Sequence, residues 1–374
     1  MNDLEVNFIA EFKTRRFCKH WGLLPAQSIN FTTAKRVRVM TPKTIKEILH
    51  DLLQCNTLTF DEANDLMTRV AKGELNDAQI ASFLTIYMMR SVTVDELLGF
   101  RSAILNLSVK MNFDEFETMD VCGTGGDAKN TFNISTLTAF VLAGAGIKVA
   151  KHGNYGVSSV SGSSNMLEYF GYKFSTSELK LKRELEKTGI CFLHAPLFHP
   201  ALKTVAPVRK QLGVRTFFNM LGPLVNPSNP PVQVTGVFNL ELQRIYHFIF
   251  QQHKSRYCVI HNIDGYDEIS LTAPAKIFSN TGEMVVSPED LGFKTLMPSD
   301  LYGGDTVEEA AEIFKNVLHV AATQPQLDAV VANTSIAIRC YYPEKSLGEC
   351  HSLANESIVS GSAKKAFEQL MRMQ

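Results

Sequence analysis

The sequence is poor in several features that would narrow its role at once. It has one tryptophan, Trp21, no Cys-x-x-Cys pair and a formal net charge of only −1. Without cysteine pairs the common zinc-binding ribbons are excluded. The seven cysteines (18, 55, 122, 191, 258, 340, 350) are odd in number and scattered, which argues against a disulfide framework and for a reducing compartment. Balanced charge excludes a global basic field that would gather nucleic acid or an acidic membrane. The longest apolar run, Leu137 to Ile147, is about half of the roughly 20 residues a membrane helix needs. No internal repeat or low-complexity tract stands out. With 45% apolar and 20% charged residues over 374 positions, a cytoplasmic globular protein of roughly two or three domains is expected.

What is present divides into three textures. Residues 1–39 carry seven basic side chains (Lys13, Arg15, Arg16, Lys19, Lys35, Arg36, Arg38) against Asp3, Glu5 and Glu11, and leave a body of 30 basic and 35 acidic residues. They show no sustained period and no apolar signal core. They are expected to be a loosely ordered extension, with Met40 as an alternative start. From residue 41 the pattern turns helical. Ile45, Ile48, Leu49, Leu52 and Leu53 form one stripe, and Thr59-Phe-Asp-Glu62, Asn76-Asp-Ala-Gln79 and Thr93-Val-Asp-Glu96 are capping boxes that open helices. Residues 41–110 therefore predict a small all-helical domain.

Beyond Phe113, short β-rich runs alternate with helical stretches. Strands are predicted at 119–122, 148–150, 191–195, 232–238 and 257–261. Helices are predicted at 136–145, 165–170, 178–188, 240–252, 306–318 and 364–373. This alternation predicts a large α/β domain with a mostly parallel central sheet covered on both faces, and ligands at the carboxyl ends of its strands.

Four polar clusters fall at such ends. Gly123-Thr-Gly-Gly-Asp127 follows a strand and is either a tight turn or a nest of backbone N–H groups for phosphate oxygens. It has neither the G-x-x-x-x-G-K nor the G-x-G-x-x-G spacing. Asn133-Ile-Ser-Thr136 then opens a helix, where Ser135 or Thr136 serves as N-cap, as anion ligand, or as both. Lys151-His-Gly-Asn154, followed by the serine-glycine run 158–164, offers a point charge and a second donor nest. Two such nests at one sheet suit a ligand with two separated anionic groups. Asp267 and Glu268, in Asp264-Gly-Tyr-Asp-Glu268, are solvent-facing turn acids or, beside phosphate, Mg²⁺ ligands. Arg209, in the run from His199 to Arg215, suits a carboxylate or phosphate, and His194 and His199 near Pro196 are candidate pocket walls.

In Val121-Cys-Gly-Thr-Gly-Gly-Asp127, Asn133-Ile-Ser-Thr136, Lys151-His-Gly-Asn154, Val208-Arg209, Asn219-Met-Leu-Gly-Pro-Leu-Val-Asn-Pro227 and Asp267-Glu268, the chain resembles the anthranilate phosphoribosyltransferases of tryptophan biosynthesis. The resemblance runs from about residue 41 to the C-terminus and is most specific between 119 and 271. It implies transfer of the phosphoribosyl group of phosphoribosyl pyrophosphate to the amine of anthranilate, releasing pyrophosphate. It also implies a homodimer, Mg²⁺ as cofactor with two ions per subunit, and no nucleic-acid or membrane partner. The helical domain would be 41–110 plus about 199–222, and the large domain 111–198 and 223–374.

Carried over residue by residue, Gly123, Gly125, Gly126, Asp127, Thr131, Asn133, Ser135, Thr136, Lys151 and Ser163 would hold phosphoribosyl pyrophosphate. Ser135, Asp267 and Glu268 would hold metal. Gly123, Asn154, His152, Pro196, His199 and Arg209 would receive anthranilate, with Arg209 facing its carboxylate. No general base is expected, because the aryl amine is a neutral nucleophile that needs mainly positioning. The chain departs from the family at Tyr155-Gly156, where many members carry a basic residue; a tyrosine there would stack on the anthranilate ring or shape the loop. A pyrimidine nucleoside phosphorylase would share the architecture, but it would carry a Lys-His-Ser-Thr-Gly-Gly loop and need no Mg²⁺ pair. A catalytically idle nucleic-acid binder would show a basic body and eroded motifs.

Overall fold

A computed structural model describes residues 43–156, 160–252 and 255–374. The expected extension 1–39, Met40 and part of the serine-glycine run (Ser158, Ser159) lie outside the described residues. Four helices come first: α1 (Ile45–Leu53), α2 (Phe60–Ala71), α3 (Asp77–Met89) and α4 (Val94–Asn106). Thr44, Thr59, Asn76 and Thr93 cap them, each in a reciprocal box with the Glu or Gln three residues on. Their apolar faces meet in one cluster that includes Ile48, Leu66, Phe83, Leu97 and Phe100. Phe217, far along the chain, enters the same core: its ring lies 5.0–5.3 Å from those of Phe83, Tyr87 and Phe100.

One buried carboxylate ties this bundle together. Glu96, with no exposed surface, accepts from Leu58 N at 2.9 Å, Tyr87 Oη at 2.7 Å, Thr93 N at 2.9 Å and Arg90 Nη1 at 3.0 Å. Burial alone would raise its pKa, but the bonds from Arg90, Leu58 and Thr93 outweigh burial and hold it below the usual carboxylate range. Three helix ends are thereby pinned at one point.

The α/β part follows in the order β1 (Thr118–Val121), α5 (Ile134–Gly144), β2 (Lys148–Gly153), α6 (Ser163–Tyr169), α7 (Glu178–Thr188), β3 (Ile190–His194), α8 (Ala195–Phe198) and α9 (Ala206–Leu212). It continues with β4 (Val232–Gly236), α10 (Leu240–Gln251), β5 (Arg256–Asn262), β6 (Ala275–Ser279), β7 (Gly282–Val286), α11 (Val307–Leu318), α12 (Gln324–Tyr341), α13 (Leu347–Val359) and α14 (Ser362–Arg372). The seven-stranded sheet has the order β3-β2-β1-β4-β5-β6-β7. Its first five strands are parallel, and β6 and β7 form an antiparallel edge. A large core of α5 and α11–α14 covers one face. On the other face, Tyr257 and Val259 of β5 join α10 and the bundle in a continuous apolar cluster.

Three differences from the sequence reading have physical causes. Strand β2 runs to Gly153, three residues past the predicted end, because Lys151 and His152 pair with Phe192 and Leu193 and bond their polar tips internally. The sequence reading also lacks α12, which is buried nearly all round and so has no amphipathic stripe to reveal it. The β6–β7 hairpin was likewise not predicted; Gly282 turns it at φ +122°.

Candidate active site

The carboxyl ends of β1, β2 and β5 and the start of α5 open into one cleft of about 250 Å³. The backbone after β1 makes its floor. Gly125 and Gly126 adopt φ of +62° and +79°, a conformation only glycine takes cheaply. Gly123 is required for a different reason: a Cβ there would stand 2.4 Å from Asp267 Oδ2. Gly125 N donates to that same oxygen at 2.7 Å, which joins the glycine turn to the acidic turn after β5.

The start of α5 supplies a second wall. The helix begins at Ile134, two residues before its predicted start, with Asn133 at the N-cap. Neither Ser135 nor Thr136 caps it, and Asn133 makes no side-chain cap bond, donating instead to Ser161 O at 2.8 Å. Ile134 N and Thr136 N donate within the chain, to Phe132 O at 2.6 Å and Asn133 O at 3.1 Å, while the helix dipole at this end favours negative charge. Lys151 is 2% exposed. Its Nζ donates to Val121 O and lies 3.4 Å from Ser135 Oγ. Burial lowers its pKa, while nearby Cys122, Asp120, Glu268 and Asp267 oppose that fall.

Acid groups crowd the third wall. Burial, with the Asp127 carboxylate adding to it, pushes Asp267 up to about 7. Glu268 is driven well above its ordinary value by burial, then by Asp267 and Asp127. Glu268 Oε1 is buried with no hydrogen-bond partner. Among the described residues, no group of three His, Cys, Asp or Glu side chains is placed to hold a metal alone. Two uncompensated carboxylates beside donor nests suit Mg²⁺, which takes one or two protein carboxylates and completes its octahedron with phosphate oxygens and water. Thr131 bonds Glu268 and is held by a bridge to Tyr302. Asp264 faces away, bonded by Asn262 at 2.6 Å and by Thr272.

The remaining wall is drier. His152 Nδ1 faces Gly222 O at 3.0 Å, so that nitrogen carries the hydrogen; its Nε2 then accepts from His199 Nε2 at 3.2 Å. This leaves His199 Nδ1 as a buried acceptor without a partner. Burial and the neighbouring His199 lower His152 to about 3, and burial lowers His199 to about 4, so both rings are neutral near pH 7. Arg209 Nη2 donates to Asn219 Oδ1 at 3.0 Å, and its guanidinium stands 5.4 Å from the Phe218 ring centre. Burial is the sole cause lowering its pKa, with no acid opposing it. A half-buried cation with an unpartnered Nε on an apolar wall of Phe218, Leu202, Leu221 and Val225 suits an aromatic carboxylate.

The cleft thus gathers Gly123, Gly125, Gly126, Asp127, Thr131, Asn133, Ser135, Thr136, Lys151, His152, Asn154, Ser163, His199, Arg209, Asp267 and Glu268. Pro196 is not in the lining; the preceding Ala195 is. His194 is turned away, bonded to Ser164 Oγ at 2.8 Å and stacked on Phe174. Tyr155 shapes its loop, donating to Glu168 at 2.7 Å with its ring edge-on to His194.

Sequence reasoning missed the apolar wall and the support beneath it. Asp120 is fully buried and pushed up to about 6 by burial. It accepts from His152 N at 3.1 Å and Asn226 Nδ2 at 2.9 Å, fixing the end of β2 against the segment that carries Gly222. An acid inside the apolar run Met119–Val121 was the available signal.

Comparison with known proteins matches this arrangement. Residues 46–108 match the helical bundle domain of the Glycosyl transferase family, and residues 115–364 its a/b domain. The anthranilate phosphoribosyltransferase of Flavobacterium johnsoniae is 50% identical over 329 residues, 88% of this chain and 99% of the relative. That of Cytophaga hutchinsonii is 50% identical over 328 residues, 88% of this chain and 100% of the relative. Among solved structures, the Thermus thermophilus enzyme superposes with a TM-score of 0.80 at 32% identity, covering 87% of this chain and 98% of its own. The Saccharomyces cerevisiae enzyme, solved in complex with PRPP (phosphoribosyl pyrophosphate) and Mg, gives 0.81 at 25% identity over 88% and 97%.

Proposed function

This chain belongs to the anthranilate phosphoribosyltransferases of the glycosyl transferase family, and on that premise we infer how its cleft carries the reaction. The enzyme transfers the phosphoribosyl group of phosphoribosyl pyrophosphate to the amine of anthranilate, giving N-(5′-phosphoribosyl)anthranilate and pyrophosphate. The observation that carries the residue assignment is the meeting of two donor nests, an acid pair and a half-buried arginine with no acid beside it in one cleft.

The glycine turn 123–127 takes the pyrophosphate and ribose side. Asn133, Ser135, Thr136, Lys151 and Ser163 take phosphate oxygens, and Thr131 steadies the acid pair. Ser135, Asp267 and Glu268 would hold Mg²⁺, two ions per subunit in this reading. When bound, the metal neutralises charge that develops on the leaving pyrophosphate.

The chain's own share is positioning and electrostatics. As the anomeric C–O bond lengthens, positive charge grows on the ribose and negative charge on the leaving group. Donors already aimed at the pyrophosphate then stabilise the transition state more than the ground state. Arg209 fixes the anthranilate carboxylate, and Phe218 and Leu221 border its ring. Asn154, His152, Pro196 and His199 complete that side, with Pro196 acting through the turn it opens. An aryl amine is a weak base and is already unprotonated near neutral pH, so positioning rather than a strong base is what this side of the cleft supplies.

In this reading the small helical domain comprises the described bundle and residues 199–222. The packing of Val205, Val208 and Phe217 into the bundle core supports that division. The working form is a homodimer in the cytoplasm; no described helix is long and apolar enough to cross a membrane. The test follows anthranilate fluorescence with phosphoribosyl pyrophosphate and Mg²⁺, with and without EDTA. Metal-dependent loss of fluorescence is expected. Intact substrates at full metal would overturn the reading and send the protein to uridine phosphorolysis assays.

A further inference from the structure

Arg215 closes the same sequence run as Arg209, yet the site described above gives it no role. It lies between Gly213, which ends α9 at φ +64°, and the turn Phe217–Met220. Among the described residues it has no carboxylate partner. Its Nη1 donates instead to the carbonyl of Gly126, a buried residue of the glycine turn. A Cβ built on Gly126 would stand 3.7 Å from both Cδ and Nε of Arg215, so the side chain lies along the flank of that residue. Gly126 and Asn219 border both the cleft and a neighbouring hollow of about 470 Å³, which Arg215 also lines. Arg215 therefore reaches the nest from behind.

The stereochemistry of the peptide gives that contact a consequence. Across a planar trans peptide, the carbonyl of one residue and the N–H of the next point in opposite directions. A Gly126 carbonyl drawn toward Arg215 turns the Asp127 N–H to the opposite side, away from Arg215. Gly125 N–H is already spent on Asp267, so the peptide between 126 and 127 matters to the nest. Gly126, at φ +79°, lets the peptide that follows it take orientations a residue with a side chain would resist.

We propose that Arg215 is a positioning residue for the sugar-phosphate donor: it locks the 126–127 peptide so that the nest presents its N–H to the pyrophosphate group. The inference rests on the assignment of the glycine turn to pyrophosphate. The Arg215 side chain bonds the donor-side turn at Gly126, whereas the carboxylate fork on the acceptor side, Arg209, donates to Asn219 Oδ1 at 3.0 Å, an oxygen that also accepts from Thr216 N at 3.4 Å.

The test pairs steady-state kinetics with calorimetric titration of Mg²⁺-pyrophosphate into the full-length protein, for wild type, Arg215→Ala, Arg215→Gln and Arg215→Lys. Arg215→Ala is expected to raise the KM for phosphoribosyl pyrophosphate and the pyrophosphate Kd by about tenfold, the scale of one charge-assisted hydrogen bond. The anthranilate KM should stay within about twofold. Arg215→Lys, which keeps a charged donor, should recover most of the loss, and Arg215→Gln less. An unchanged pyrophosphate Kd in Arg215→Ala, equal weakening of both substrates, or a lysine variant no better than glutamine would overturn the proposal. If the alanine variant does not fold, the lysine–glutamine pair decides. Wild-type protein that binds no Mg²⁺-pyrophosphate would overturn the reading of the cleft and this proposal with it.

Discussion

Glu96 in the helical bundle and Glu268 in the cleft are the same residue type, both buried, in opposite surroundings. Glu96 is surrounded by donors and stays below its ordinary pKa; Glu268 keeps an oxygen without a partner and rises well above it. The cations repeat the contrast. Arg90 is bonded to Glu96, which raises its pKa, whereas Arg209 is lowered by burial alone. In the bundle the charges answer one another and the result is rigidity. In the cleft they are left open, which costs the free protein stability and is recovered when a ligand supplies the missing charge.

The largest expected effect breaks the open pair. Replacing Asp267 and Glu268 by Asn and Gln should lower kcat by at least about a thousandfold, since charge stabilisation is the main catalytic device. It should leave the melting temperature of the ligand-free protein equal or higher. Full activity in the double variant would remove the metal assignment. Gly123→Ala comes next: its methyl would meet Asp267 Oδ2 at 2.4 Å, and displacing that carboxylate should cost about a hundredfold in kcat/KM. Arg209→Ala should raise the anthranilate KM by tens of fold while the donor KM moves less than about twofold, the outcome for a fork that touches one substrate. Equal effects on both substrates would end that role.

Glu96→Gln is the reciprocal experiment. Removing one member of a closed buried pair should cost about 3 kcal/mol of unfolding free energy, read by urea denaturation, with both KM values nearly unchanged. The smallest effect concerns pH. His152 and His199 have depressed pKa values in the folded protein, so the unfolded chain takes up protons that the folded one refuses. Their contribution is complete above about pH 6.5 and is lost as pH falls toward 4 and 3. Acidifying from pH 7.5 to 5 should therefore destabilise wild type more than His199→Asn, by at most about 1.4 kcal/mol per pH unit. Identical losses would show that the ring is protonated in place.

Local chemistry was legible in the sequence. The boxes at Thr59, Asn76 and Thr93 predicted three helix starts, and the alternation after Phe113 predicted the parallel sheet, because caps and periodicity involve residues a few positions apart. The glycine turn, Lys151, Arg209 and the acid pair were legible for a similar reason: each is a chemically distinctive group at the end of a strand. Lys151 and His152 misled the reading of β2, since polar residues in a central strand break its pattern, and their partners at Val121 and Gly222 lie elsewhere in the sequence. The helix 324–341 was hidden because burial on every side removes the contrast between faces.

The sequence by itself determined which groups were available: two donor-rich turns, an acid pair, an arginine, and most of the helices and strands that present them. Only the tertiary structure decided which of those charges would be answered. Glu96 finds its donors through close packing of the bundle helices. Glu268 keeps Oε1 without a partner because the elements that converge on it leave a cleft between them, and Arg215 meets Gly126 across 89 positions of sequence. Desolvation and partner geometry depend on what the whole chain brings within a few ångströms, and neither is a property of any residue alone.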